Sequence, residues 1–381
     1  MIFESTPDAY SSVNDPILYV VYDAHATNPT TYPNYKYVAE IWINGTQVFT
    51  GKYFPNPTTS RGIIDASNVI REYVSAILLP TSTGIVAQQL IEGQWKLLSV
   101  VVKIREEYGG TIGAVILTDS TRTMFNHYNG RIYGVTILSN YTNKPLSDRG
   151  LIIDMTLTNA NYFIPYFATT TSTYNVVITG GTSTRTKVVT PSAANSMQIL
   201  NISPAAINSE YAGNFTSSTT FYTVLVSGIT YRVNLQCEGL YDNYVVHFMN
   251  KYGGYESMLF NKVSKKYFDL EKKSYKQLPY RISSSGVSSV GAGITMYQQN
   301  TDYAGRVKER LKMNTDWVSD LDYEWLSQLI ISPQVWVEED GKLFPAMISQ
   351  SNYEFKKHIV DALINVSIDV EFSSSFKTQY Q

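Results

Sequence analysis

The chain has 381 residues, a net charge of −2, and only 16% charged against 44% hydrophobic residues. That length is enough for two or three domains with separate cores, and the near-neutral balance offers no general attraction to nucleic acid or to an anionic membrane surface. A single cysteine, Cys237, excludes an intrachain disulfide and any multi-thiolate metal centre.

The charged fraction is below the roughly 25% usual for soluble domains, while tyrosine contributes 30 residues and phenylalanine 15. Aromatic surface at low charge suits permanent contact surfaces, where tyrosine supplies area at small entropic cost. The opening MIFESTPDAYSS has neither a basic start nor an apolar core, and the apolar runs are far shorter than the ~20 residues that cross a bilayer. No membrane span and no standard secretion route are expected. The Asn-x-Ser/Thr sequons at Asn44, Asn140, Asn201, Asn214 and Asn365 reflect a Ser/Thr/Asn-rich composition in that setting.

Residues 17–22 (ILYVVY) form a compact apolar strand, and 35–43 (YKYVAEIWI) alternate with Tyr35, Tyr37, Ala39, Ile41 and Ile43 on one face. Asn44-Gly45 follows directly; this dipeptide accepts the positive φ angles of a type I′ turn, so 46–54 should return antiparallel. After the proline-rich FPNPTTSRG, Ala66, Val69, Ile70 and Tyr73 recur at helical spacing. Residues 95–104 (WKLLSVVVKI) resume alternation, with Leu98, Val100, Val102 and Ile104 on the inward face.

From about 169 to 220 the chain is rich in Ser, Thr, Ala, Gly and Asn, punctuated by apolar pulses at strand-like intervals. This reads as a second β-sandwich with polar outward faces. Next, 242–251 (DNYVVHFMNK) and 257–260 (SMLF) flank Gly253-Gly254, expected to be a two-residue hairpin turn rather than a phosphate loop, because no helical pattern follows. Residues 262–276 interleave lysines with aromatics; their acids dilute the charge, and a solvated strand edge is the expected reading over a nucleic-acid strip. Residues 283–293 (SSSGVSSVGAG) look like a flexible connection.

Ser319-Asp320-Leu321-Asp322 has a capping-box-like spacing, and Leu321, Trp325, Leu326, Leu329 and Ile330 then define an amphipathic helix ending at Ser332-Pro333. Val335 to Val337 and 343–348 flank a tight turn at 339–342, and 364–372 alternate without a break. A helix laid on an antiparallel sheet is expected here.

Catalytic and metal signatures are not visible in this pattern. His25, His127, His247 and His358 are dispersed, with none at i, i+4 or beside carboxylates in ligand-like spacing. No G-x-S-x-G elbow, P-loop or dinucleotide fingerprint occurs, and Cys237 in LQCEGL reads as a small buried hydrophobe. The acid pairs Glu106-Glu107, Glu338-Glu339-Asp340 and Asp320/Asp322 fit strand ends, a turn and a first helical turn. No cofactor, metal or catalytic residue is expected.

The stretch 317–372 resembles the C-terminal part of virion or tail proteins in phages and prophages of Bacteroidetes. The matching positions are Trp325, Leu326, Leu329, Ser332 and Pro333 in the helix, Glu339, Asp340 and Gly341 in the turn, and Tyr353 and Glu354 in a strand. Phe248, Asn250, Gly253, Gly254 and Phe260 are similar to the aromatic hairpin of that group, and YKYVAEIWINGTQVF, FPNP and Gly62/Asp65 to its first sandwich. The resemblance implies a structural particle component made in the host cytoplasm and located in the virion, with no catalytic residues to carry over.

The expected architecture is mainly β. Two immunoglobulin- or fibronectin-like sandwiches in series (1–150 and 151–282) precede an α+β assembly domain (283–381). The expected function is that of a non-enzymatic virion component, tail or tail-associated, with other virion proteins and further copies of itself as partners. Trp317, Trp325, Trp336 and the hairpin pair Tyr252/Tyr255 are expected as contact or core anchors, the tyrosines at an exposed tip. The alternative is a carbohydrate- or receptor-binding module with Tyr and Trp platforms, which a surface aromatic row beside Asp and Asn partners would support, whereas a ring-forming interface would favour the first reading.

Overall fold

The computed structural model describes residues 1–75, 79–80, 83–93, 97–125, 142–237, 241–276, 281–283, 286–288, 300–349 and 363–377. The chain is mainly β, with 54% strand and 9% helix, as the alternating apolar pattern dictates. It divides into two compact units. One comprises Met1–Glu238, Val245–Leu259 and Leu321–Pro333; the other Gly239–Tyr244, Phe260–Asp320 and Gln334–Gln381.

The first unit contains two buried clusters. Around the first lie a three-stranded sheet, ordered Ile2–Ser5, Leu18–Tyr22, Arg61–Asp65, and a second sheet. The latter is ordered Tyr10–Ser12, Arg122–Phe125, Leu97–Tyr108, Lys36–Ile43, Thr46–Tyr53, with Thr111–Thr118 also pairing Leu97–Tyr108. Tyr19, Val21 and Ile64 from one sheet and Tyr37, Ala39, Ile41, Ile43, Val100, Val102 and Ile104 from the other share that core. The expected inward faces of 35–43 and 95–104 are thus the buried ones.

The turn at Asn44-Gly45 has φ of 51° and 80°, and Ile43 pairs with Thr46, as a type I′ hairpin requires. Helix α1 spans Ser67–Tyr73; Asp65 accepts the Ser67 N–H at 2.9 Å and so receives one of the free donors of the first turn.

Around the second cluster, Lys144–Pro145, Phe163–Ala168, Ser196–Asn201 and Val86–Leu90 form one sheet. Ile152–Thr156, Ile229–Gln236, Phe221–Val226, Tyr174–Thr179 and Arg185–Val189 form another. Ile164, Tyr166, Val176, Ile178, Leu200, Tyr222, Val224 and Val233 are buried together. The strand Val86–Leu90 comes from the N-terminal stretch yet pairs antiparallel with Ser196–Asn201, so the two cores interleave along the chain. Helix α2, Pro204–Glu210, begins at Ser203, whose side chain accepts from Ala206 N–H, with Pro204 in the first turn.

The expected polar outward faces of this region are corrected in part. Ile152, Val188, Phe221 and Leu225 are exposed, because they alternate with the inward Ile153, Val189, Tyr222 and Val224.

In the second unit, Val335–Glu339, Lys342–Ile348, Leu363–Lys377, Asn300–Ser319 and Lys265–Lys276 lie side by side, each pair antiparallel. Asp340 and Gly341 take φ of 50° and 72° at the expected tight turn. Leu311, Met313, Val337, Ile368 and Val370 are buried. Within the stretch expected to be a flexible connection, Gly286–Ser288 pairs with Arg281–Ser283, and the remainder lies outside the described residues.

Helix α3 spans Asp320–Ile331, as its spacing predicts. The sequence pattern places it with the strands that follow, but 321–333 belong to the first unit. The reason is the set of polar contacts around Trp325.

Candidate functional site

The Gly-Gly hairpin is the place where buried charge accumulates. Tyr244–Met249 and Tyr255–Phe260 are joined by residues 250–254, longer than the expected two-residue turn. Asn250 explains the difference: its side-chain oxygen accepts the N–H groups of Tyr252 (3.0 Å) and Gly254 (3.1 Å), and its own N–H donates to Gly254 O (2.8 Å). Gly253 sits at φ 82°, which glycine adopts without steric cost. Gly254 is fixed by space instead, since a Cβ there would lie 2.3 Å from Pro165 Cβ.

Below this loop lies Glu256, fully buried. Its Oε2 accepts from Trp325 Nε1 at 2.7 Å and from Asn250 Nδ2 at 2.9 Å, and its Oε1 accepts from the Ser147 hydroxyl. Arg149 lies beside it, with its guanidinium carbon 4.6 Å from the Trp325 ring centroid and 5.1 Å from that of Tyr162. Arg149 donates to Tyr162 Oη at 2.9 Å and to Ser257 O at 3.3 Å. Burial pushes the Glu256 carboxyl above its ordinary range, against the opposing Arg149 charge and the hydrogen bonds from Ser147, Trp325 and Asn250.

A second ring of contacts secures the same loop. Tyr252 Oη donates to Asp148 Oδ1 at 2.8 Å, Gln328 donates to Asp148 Oδ2 at 3.2 Å, and Lys251 N donates to Gln328 Oε1 at 3.0 Å. Gly150 N donates to Asp322 Oδ1 at 3.0 Å, and Ser332 Oγ to Met249 O at 2.9 Å. Chemically this is a clamp: α3 and 146–150 are held on the hairpin by groups that face inward. No protein-family model matches this chain, and no curated protein matches it.

The anchors expected from the sequence are distributed accordingly. Trp325, Tyr252 and Tyr255 are buried; the expectation that the tyrosines form an exposed tip is corrected, because Asn250 folds the loop back and Tyr252 reaches inward to Asp148. Trp336 is half-buried in Val335–Glu339, and Trp317 lies in Asn300–Ser319 opposite Asn365, its side chain outside the described residues. Cys237, expected to be buried, is exposed just beyond Ile229–Gln236. His247 is buried, with Nδ1 2.8 Å from Ser257 Oγ, whereas His127 and His358 lie outside the described residues. Glu107 pairs with Lys36 and Lys52, and Glu339 with Lys266. Among the described residues, Asp23, His25 and Glu106 form a group able to hold a metal ion.

The outward faces carry the chain's external chemistry. On the three-stranded sheet, Leu18, Val20, Tyr22, Ile63 and Ile2 share the side opposite the core, and Ile2, Leu18 and Ile63 are exposed. Arg61 and Asp65 lie on the same side, and Arg61 pairs with Glu4. On the five-stranded sheet, exposed Phe221 lies level with Asn234 and Asp154. Arg232 stands 4.5 Å over its ring and donates to Asn234 Oδ1 at 3.1 Å, and Asn234 donates to Asp154 Oδ1 at 3.2 Å.

Proposed function

We propose that the chain is a non-enzymatic structural component of a bacteriophage virion, tail or tail-associated, that works through contacts with further copies of itself and with other virion proteins. The observation that carries this reading is the outward apolar side of the three-stranded sheet, where Ile2, Leu18 and Ile63 are exposed. These exposed apolar side chains, set beside Asp65 and the Arg61–Glu4 ion pair, are the surface a partner would cover. The Glu256 clamp supports it as well: its charged groups are buried, so they serve rigidity. The resemblance of 317–372 to phage virion proteins supplies the particle. In this reading the two cores of the first unit are immunoglobulin- or fibronectin-like sandwiches.

Substitution of Ile63 and Ile2 by glutamate tests the reading. A multimer of the wild-type chain that falls to single chains in the double variant, with unchanged far-UV circular dichroism, supports it. Unchanged mass in both proteins sinks this face as the contact.

A second reading is favoured by one observation. Phe221, exposed, with Arg232 over one face of its ring and Asn234 and Asp154 beside it, combines an aromatic ring with hydrogen-bonding groups as a sugar site does. Loss of glycan-array binding on Phe221→Ala would establish it; no binding by the wild-type chain would remove it.

A further inference from the structure

His25, Asp23 and Glu106 come together from two places in the chain. Asp23, at φ −139°, caps the 3-10 turn Ala24–Thr27 and accepts the His25 N–H at 3.0 Å, which fixes the imidazole two residues on. Glu106 arrives from Leu97–Tyr108, which the core alternation holds in register with Lys36–Ile43. His25 Nδ1 lies 2.9 Å from Glu106 Oε2 and 3.8 Å from Asp23 Oδ1, and one donor atom from each residue lies within 4.8 Å of the others.

The surroundings hold these donors in place. Tyr35 Oη donates to Asp23 Oδ2 at 2.9 Å, leaving Oδ1 turned to His25. The imidazole stacks on Tyr32 at 4.1 Å and 20°, and Tyr32 meets Tyr108 edge-on at 5.0 Å. The side chains of Asp23 and Glu106 are 6% and 15% exposed, that of His25 41%, so the group is closed on the carboxylate side and open to water beside the imidazole.

Charge is not balanced within the group. Among the described residues no Lys or Arg pairs with Asp23 or Glu106; the nearest fixed cation is the Met1 amine, 3.9 Å from Asp23 Oδ2. The next residue in the strand, Glu107, pairs with both Lys36 and Lys52.

We propose that Asp23, His25 and Glu106 bind a divalent cation of the zinc type, with water completing the shell on the open side. One imidazole nitrogen and two carboxylate oxygens form a zinc donor set, and a tetrahedral ion ~2.0–2.2 Å from each donor keeps its donors about 3.3–3.6 Å apart. The separations from His25, 2.9 and 3.8 Å, lie on either side of that range. Tyr35 is then the outer partner that orients Asp23. Binding at Nδ1 replaces the contact between His25 and Glu106, and the ring proton of the bound state sits on Nε2. The ion ties the 24–27 turn to the strand that carries Glu106, a role independent of assembly or glycan binding.

The test uses tag-free full-length protein, stripped with a chelator, titrated with Zn2+ by calorimetry and counted by elemental mass spectrometry. The expected result is one Zn2+ per chain with a rise in melting temperature, weakened by about tenfold or more in both Glu106→Gln and His25→Gln. Glu107→Gln, beside the site but turned to the lysines, retains wild-type binding. His25 is the most exposed of the three, so its variant keeps the test informative if Glu106→Gln misfolds. No retained zinc, or equal binding by all variants, overturns the proposal, as does displacement of Zn2+ by an equal concentration of Mg2+ or Ca2+.

Discussion

Replacing Glu256 by alanine probes the clamp directly. The change removes the acceptor for Trp325 Nε1–H, Asn250 Nδ2–H and the Ser147 hydroxyl, and takes away the carboxylate beside the buried Arg149. An orphaned buried donor costs about 1–3 kcal/mol, and one-sided removal of a partner from a buried charged pair costs about 3–5 kcal/mol. The groups form one network, so these costs overlap, and the expected loss is about 3–5 kcal/mol rather than their sum. Urea unfolding followed by far-UV circular dichroism measures it. Trp325→Phe keeps the ring beside Arg149 but deletes the N–H donor; combined with Glu256→Ala it should fall short of additivity by about 1–2 kcal/mol, because both changes break the same hydrogen bond. A loss below about 0.5 kcal/mol for Glu256→Ala, within the range of an ordinary surface change, or full additivity of the pair, would refute the reasoning.

Gly254→Ala places a Cβ against Pro165 and should cost about 1–3 kcal/mol through overpacking, read as a drop in melting temperature. Gly45→Ala meets no atom within 4 Å but keeps φ at +80°, so its cost of about 1–2 kcal/mol is conformational alone, and Gly45→Asn should recover part of it. Burial raises the folded Glu256 carboxyl above its reference of 4.5, so the folded chain holds that proton more tightly than the unfolded one. Its contribution is complete below pH 4.5 and is lost as the pH rises through the raised folded value. Glu256→Gln should remove that falling slope, and an unchanged pH–stability profile would show that the carboxyl is not the group responsible.

Local chemistry accounts for what the sequence makes legible. Leu98, Val100, Val102 and Ile104 are buried at every second position, a period the sequence shows directly, whereas Val38 and Glu40 are buried between Tyr37, Ala39 and Ile41, so that strand is covered on both faces. Asn44-Gly45 and Asp340-Gly341 declare their turns because so few residues accept positive φ. Helix α3 is readable from Trp325, Leu326 and Leu329. What it packs against is not, since its polar partners Glu256 and Arg149 lie 69 and 176 positions away in the chain. The same limit hid the His25 group: Glu106 is 81 residues distant, and its neighbour Glu107 faces the lysines on the other side of the strand. The tyrosines of the Gly-Gly hairpin misled for another reason. A loop beside two glycines reads as an exposed tip unless a side chain such as Asn250 draws it inward.

The placement of Val86–Leu90 in the second core illustrates a further limit. Alternation tells which face of a strand is buried but not which sheet it joins, because the pairing partner contributes backbone hydrogen bonds that carry no sequence signature. The exposed Ile63 and Phe221 have the same origin: an outward apolar residue in a strand looks identical, in sequence, to an inward one of the next register.

Assembly, as proposed, is read from the solution mass of the purified protein, measured by light scattering across a concentration series with the same sample imaged by electron microscopy. A defined multimer of the 42.9 kDa chain, seen as closed rings or another uniform particle, is the predicted result. A monomer at every concentration that also fails to join a particle when mixed with other virion proteins would contradict it.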